Sequence, residues 1–266
     1  MERLTEERVT SGAKGQARDK LVRQGFIPIF VDDDLDSRLL VESAVEAGCA
    51  ALEYTCRRAD ARTIIPWIKR EFPHVAVLGA SLVDGARAAS FLSQTRSHFT
   101  TVEEMAELGV DGLVSFMRFR PETYRRYGGE LILIPGVHGY NEALDELEKG
   151  ADFIKLPGNT PWGAGLLSSA VDVTHSLFPT LVTGGCSMEM IPEFIRSGAV
   201  LIGAGFGMIL KDEIKAGRAV SRKDIIPAIR RMLSVVREAR GAHQPEFYQA
   251  IEQGRENPLA AGGWIS

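Results

Sequence analysis

The chain has 266 residues, 45% hydrophobic and 25% charged, with a formal net charge of −4. That length buries a sizeable core and suits one α/β barrel or two smaller domains. The mildly acidic balance excludes the basic footprint of a nucleic-acid binder. No stretch approaches the ~18 apolar residues of a membrane span, and the charged opening MERLTEERVT is followed by no apolar signal segment, so the expected location is the cytoplasm. Cys49, Cys56 and Cys186 form no C-x-x-C pair and leave an odd thiol over, which argues against a disulfide framework or a zinc site.

A basic amphipathic segment precedes residue 25, and short β-rich runs then alternate with helical patterns. In chain order the runs are FIPIFV at 26, AALEYT at 50, VAVLGA at 75, DGLVSF at 111, ELILIPG at 130, DFIKL at 152, TLVTGG at 180 and VLIGAG at 200. The intervening segments carry helix signals: SRLLVESAVEAG ends on Gly48 and NEALDELEKG on Gly150, glycine being the usual helix stop. Strand alternating with helix predicts parallel pairing, and eight such units close a (β/α)8 TIM barrel; the alternative is an open doubly wound sheet.

The spacing between strands is regular except after the third, where extra chain at about 84–99 is expected to leave the C-terminal, catalytic face of the barrel. Beyond 220 come a helical run, RKDIIPAIRRMLSVVREARG, and a tail containing glycine and proline. The expected organisation is therefore one TIM-barrel domain over 1–266. Its core spans about 22–210, its insertion 84–99 and its C-terminal extension 220–266, the ends serving as caps or oligomer contacts.

Period-two alternation in the second strand puts Ala51, Glu53 and Thr55 on one face and Leu52 and Tyr54 on the other. The apolar set suits packing on helices, so Glu53 points into the barrel, where an ionised group is costly unless paired or used. Arg57 follows at the same parity. In the sixth strand Phe153 and Lys155 share the inward face. A lysine, a glutamate and an arginine at one barrel mouth suit imine chemistry, since burial and a nearby cation free a lysine amine to attack a ketone. The same lysine and glutamate read equally well as a structural ion pair. Thr183-Gly184-Gly185 and Gly203-Ala204-Gly205 end the last two strands, where barrels often cradle phosphate on backbone N–H groups. Arg118 and Arg120 after the fourth strand and His138 after the fifth are further candidates for anion binding and proton transfer.

The ordered run GFIPIF, ALEYTCR, LIPGV, FIKLPG, VTGG and a glycine-rich last strand resembles the 2-keto-3-deoxy-6-phosphogluconate / 4-hydroxy-2-oxoglutarate aldolase family over about residues 22–210. The resemblance implies a class I aldolase of (β/α)8 fold, typically a homotrimer, without cofactor or metal, that releases pyruvate and an aldehyde from a 2-keto-4-hydroxy acid. It places the Schiff-base lysine on Lys155, the acid/base glutamate on Glu53 and the carboxylate-binding arginine on Arg57. The phosphate loop falls on Thr183, Gly184 and Gly185, with Gly203 and Gly205 beside it. Departures from the family pattern lie elsewhere. Lys155-Leu156-Pro157-Gly158 replaces Lys-x-Phe-Pro-Ala. Gly79-Ala80-Ser81-Leu82 replaces Gly-Ala-Gly-Thr, moving a hydroxyl to Ser81. Ser115-Phe116-Met117 replaces Ser-Pro-Gly, and Phe206 stands where a phosphate-binding serine is expected.

Overall fold

A computed structural model describes residues 12–31, 34–158, 167–168, 178–217, 219–255 and 257–261. Eight strands appear where the eight runs were read: β1 Phe26–Phe30, β2 Ala51–Thr55, β3 Ala76–Leu82, β4 Gly112–Ser115, β5 Ile132–Ile134, β6 Ile154–Pro157, β7 Thr180–Thr183 and β8 Leu201–Gly205. All ladders are parallel, in the order β5-β4-β3-β2-β1-β8-β7-β6. The gap between β5 and β6 is spanned by a bridge of Gly136 with Lys155 and by two bonds, from Lys155 N to the Pro135 carbonyl at 2.8 Å and from Val137 N to the Lys155 carbonyl at 3.1 Å. The sheet thus curls into a TIM-like barrel rather than remaining open.

Alternation along the strands divides the apolar residues into two layers. Inside the barrel lie Ile27, Ala51, Ala76, Leu78, Val114, Ile132, Phe153, Leu181 and Leu201. Between strands and helices lies a second, larger layer that includes Phe30, Leu52, Tyr54, Val77, Leu113, Leu133 and Val182. Helix signals in the sequence are used as physics requires. Asp36 caps α2 (Ser37–Glu46), accepting from Leu39 N at 2.6 Å. A capping box of Thr101 with Glu104 starts the short helix Val102–Glu107. Such caps satisfy N–H groups that have no partner within the helix.

Helix α1 (Ala13–Gln24) closes the N-terminal end of the barrel, with Ala17, Leu21 and Val22 buried against the interior layer. Gln24 fixes it there, donating to the carbonyls of Phe26 and Ala51 and accepting from Ala50 N and Ala51 N. Phe247 and Leu259 of the C-terminal extension join the same layer. These contacts plug the N-terminal floor of the barrel. The extra chain after β3 forms a helix, Ala86–Thr95, rather than an irregular loop, and buries no residue.

Candidate active site

Inward positions change character toward the C-terminal ends of several strands. Ala51, Phe153, Leu181 and Leu201 are apolar, and two residues further along the same strands stand Glu53, Lys155, Thr183 and Gly203. Ionisable and polar side chains thus replace apolar ones toward the C-terminal ends of β2, β6 and β7, with Lys155 in register with Leu181 and Thr183 with Gly203. There the Lys155 Nζ donates to Glu53 Oε1 at 3.1 Å and to Oε2 at 3.4 Å, each side chain being 2% exposed. Strand β2 lies across the barrel from β6, so the contact spans its width. A buried pair of this kind is weak evidence for stability, because desolvation offsets much of the attraction.

Phe116, just past β4, places its ring over the Lys155 ammonium, with Nζ 4.5 Å from the centroid. The backbone of this turn is held from both sides. Ser115 Oγ donates to the Leu82 carbonyl at 2.8 Å and accepts from Met117 N at 2.9 Å, while Gly136 N donates to the Met117 carbonyl at 3.2 Å. A Cβ on Gly136 would come within 2.3 Å of the Phe116 carbonyl carbon, so only glycine admits this approach. Strand parity does not predict this contact, because Phe116 lies in the turn beyond the end of β4.

The remaining predicted residues lie at strand ends and in the turns that follow them. Arg57 is exposed at the end of β2. Its neighbour Arg58 is instead buried, donating to Tyr54 Oη, Ser37 Oγ, Asp60 and the Leu35 carbonyl. Ser81, half-buried at the end of β3, is the one non-glycine with positive φ (62°) among the described residues, and the β3–β4 register shifts between Gly79 and Leu82. A serine in this region stores strain of order 1 kcal/mol or more. Thr183 Oγ1 is buried without a hydrogen-bond partner. Gly184 and Gly185 follow it at φ 88° and 68°, a left-handed pair that side chains would strain.

Arg120 is drawn away from any ligand: it donates through Nε and its backbone N to the buried carboxylate of Asp84, both at 2.7 Å. Arg118 and His138 are exposed. Phe206 turns into the outer layer, packing edge-on against Phe30 with centroids 4.9 Å apart, and so neither lines nor blocks the mouth. Burial pushes the Cys56 thiol up to about 11 and the Cys186 thiol up to about 12, the latter against the opposing charge of Lys155. Both stay protonated near neutral pH and are poor nucleophiles. Among the described residues no group of three His, Cys, Asp or Glu side chains is arranged to hold a metal ion, and no helix is long and apolar enough to cross a membrane.

No protein-family model matches the chain. It is 26% identical over 183 residues to the 2-dehydro-3-deoxy-6-phosphogalactonate aldolase of Escherichia coli (strain K12), covering 68% of this chain and 80% of that enzyme. Among solved structures, a native KDPGal structure matches with a TM-score of 0.62 at 22% identity, over 80% of this chain and 95% of that one. The KDPG aldolase of Legionella pneumophila, with pyruvate captured as a covalent carbinolamine, matches with a TM-score of 0.62 at 18% identity, over 83% and 97%. At these identities the structures bear on the fold, and the chemistry must be argued from the residues.

Proposed function

We propose that this chain, a distant relative of the KDPG and KDPGal aldolases, is a class I aldolase that cleaves a 2-keto-4-hydroxy acid to pyruvate and an aldehyde through an imine on Lys155. The observation that carries the reading is the buried contact of Lys155 with Glu53 toward the C-terminal strand ends of a barrel whose N-terminal floor is plugged. A purely structural pair could sit at any level; this one sits toward the C-terminal strand ends, the end at which Thr183 Oγ1 is buried without a partner.

In this mechanism the neutral amine of Lys155 attacks the C2 ketone, and Glu53 moves protons as the carbinolamine forms and loses the former ketone oxygen as water. The resulting iminium is the electron sink. Glu53 takes the proton of the C4 hydroxyl, the C3–C4 bond breaks with its electron pair entering the imine system, and the aldehyde departs. Protonation of the enamine at C3 and hydrolysis then release pyruvate and restore the amine. Arg57 and Ser81 are assigned to the substrate carboxylate, and Thr183, Gly184, Gly185, Gly203 and Gly205 to its far end. The enzyme is further proposed to be cytoplasmic and to assemble as a homotrimer, which light scattering on the purified protein tests. The reading of the site is tested by borohydride reduction in the presence of pyruvate: mass spectrometry is expected to find the adduct on Lys155, and an unmodified Lys155 would remove the proposal.

A further inference from the structure

A cavity of about 320 Å³ opens on the N-terminal face of the barrel, opposite the strand ends that carry Lys155 and Glu53. It lies between α1 and two helices of the C-terminal extension, α11 (Arg222–His243) and α12 (Pro245–Glu252), numbered in chain order. Lys20, Arg23, Arg237 and Arg240 line it together with one carboxylate, Glu252. Arg23 is already engaged by Asp19 at 2.6 Å and by the carbonyls of Ile251 and Arg255. Among the described residues lining the cavity, Lys20, Arg237 and Arg240 therefore face Glu252 alone, an excess of two positive charges.

Arg240 makes the imbalance costly. It is 2% exposed, and among the described residues its side-chain hydrogen bonds go only to backbone carbonyls, Val22 at 2.8 Å and Val200 at 2.5 Å, with Arg23 more distant at 3.5 Å. Its Nε has no partner, and its guanidinium rests on the Phe247 ring at 5.0 Å. The position is built to receive it, since a Cβ on Gly25 would lie 2.5 Å from the guanidinium carbon. Burial without a counter-ion pushes this group down to about 9. An anion beside it offsets that cost, as a buried cation needs compensation. Lys20 and Arg237 make no hydrogen bond or ion pair among the described residues and remain available for charge-assisted bonds.

We propose that this cavity binds a small phosphate monoester, and that the bound ligand ties the C-terminal extension to the barrel floor. A monoester is close to a dianion at neutral pH, which matches the excess charge. Leu233, Val236 and Tyr248 supply an apolar wall for its organic part. The volume falls in the range of small-molecule sites. This site is independent of the chemistry assigned to Lys155.

The test is thermal unfolding of the full chain with phenyl phosphate, against sodium chloride at matched ionic strength. At about ten times its Kd the probe is expected to raise Tm by about 2–4 °C. The rise should shrink in the double variant Lys20→Ala/Arg237→Ala, which folds because neither side chain is engaged and which keeps its borohydride trapping with pyruvate. No rise, an equal rise with chloride, or a rise of the same size in parent and double variant would each overturn the proposal. The last outcome would assign the anion to the catalytic mouth.

Discussion

Lys155 and Glu53, 102 positions apart in the chain, meet across the barrel with Nζ 3.1 Å from Oε1. If the lysine is the reagent and the glutamate the proton carrier, their losses must differ in kind. Lys155→Ala is expected to abolish both aldol cleavage and borohydride trapping. Glu53→Gln should retain part of the trapping while turnover falls about 10²–10⁴-fold, the usual range for lost acid/base assistance. A lysine still trapped by pyruvate in Lys155→Ala would show that the assignment is wrong.

Behind the mouth, the end of β2 is braced by a hydrogen-bonded group of Tyr54, Asp60, Ser37 and Arg58. Tyr54 Oη donates to Asp60 Oδ1 at 2.6 Å and Ser37 Oγ to Asp60 Oδ2 at 2.5 Å, with Arg58 against both hydroxyls. Burial pushes the Asp60 carboxyl up, but the bonds from Ser37, Tyr54 and Arg58, with the Arg58 charge, outweigh it and leave the group below its ordinary value of 3.8. A folded-state value below the unfolded one contributes stability that is complete above the unfolded value and is lost as pH falls through the folded one. Asp60→Asn should therefore be less stable at pH 7 and show a flatter loss of stability below about pH 4 than the parent. Urea unfolding at several acidic pH values checks this; parallel pH profiles in the two proteins would contradict it.

Helix α4, Ala86–Thr95, presents a different case, because it has no fully buried residue, follows the C-terminal end of β3 and leaves Phe91 64% exposed. Arg62 holds the chain just after it, donating to the carbonyls of Ser97, His98 and Phe99. Replacing 86–95 by a short Gly-Ser link is expected to change stability by no more than about 0.5 kcal/mol, as for surface features generally. If α4 is a lid or a subunit contact, as its position suggests, the same deletion should alter KM for the keto acid or the mass of the assembly. Unchanged kinetics together with unchanged mass would leave it an ornament of the surface.

Strand parity made much of this architecture legible in the sequence. Period-two alternation is a local property of the backbone, so Ala51, Glu53 and Thr55, or Phe153 and Lys155, could be set on the inward face before any partner was known. Parity fails where strands end. It could not tell that the exposed arginine would be Arg57 and the buried one Arg58, since both lie in the turn after β2. It gave no hint that Asp84 would claim Arg120 or that Phe116 would cover Lys155, because those contacts depend on loop paths fixed by Ser115 and Gly136. The helix at 86–95 is likewise weakly signalled, since Ala89 and Leu92 are only partly buried and give a short apolar period.

The substrate's far end is the remaining question at the mouth, and the geometry narrows it. Thr183 Oγ1 is buried and unpartnered, and the left-handed pair Gly184 and Gly185 follows directly, an arrangement suited to receiving an anion on backbone N–H groups. A Cβ on Gly203 would lie 2.7 Å from Thr183 Cγ2, so this part of β8 is kept bare beside the threonine. Arg120 is occupied by Asp84 and supplies no charge there, which favours a phosphate gripped by backbone over a carboxylate gripped by guanidinium. Phosphorylated 2-keto-4-hydroxy acids are thus expected to exceed their unphosphorylated counterparts in kcat/KM by several kcal/mol, roughly 10²-fold or more. Thr183→Val, which keeps the shape and removes the hydroxyl, should lower kcat/KM for the phosphorylated substrate about tenfold, the worth of one hydrogen bond. It should barely affect the unphosphorylated one. Equal kcat/KM for the matched pair in the parent protein, or an equal loss for both in Thr183→Val, would show that this end of the pocket does not read phosphate.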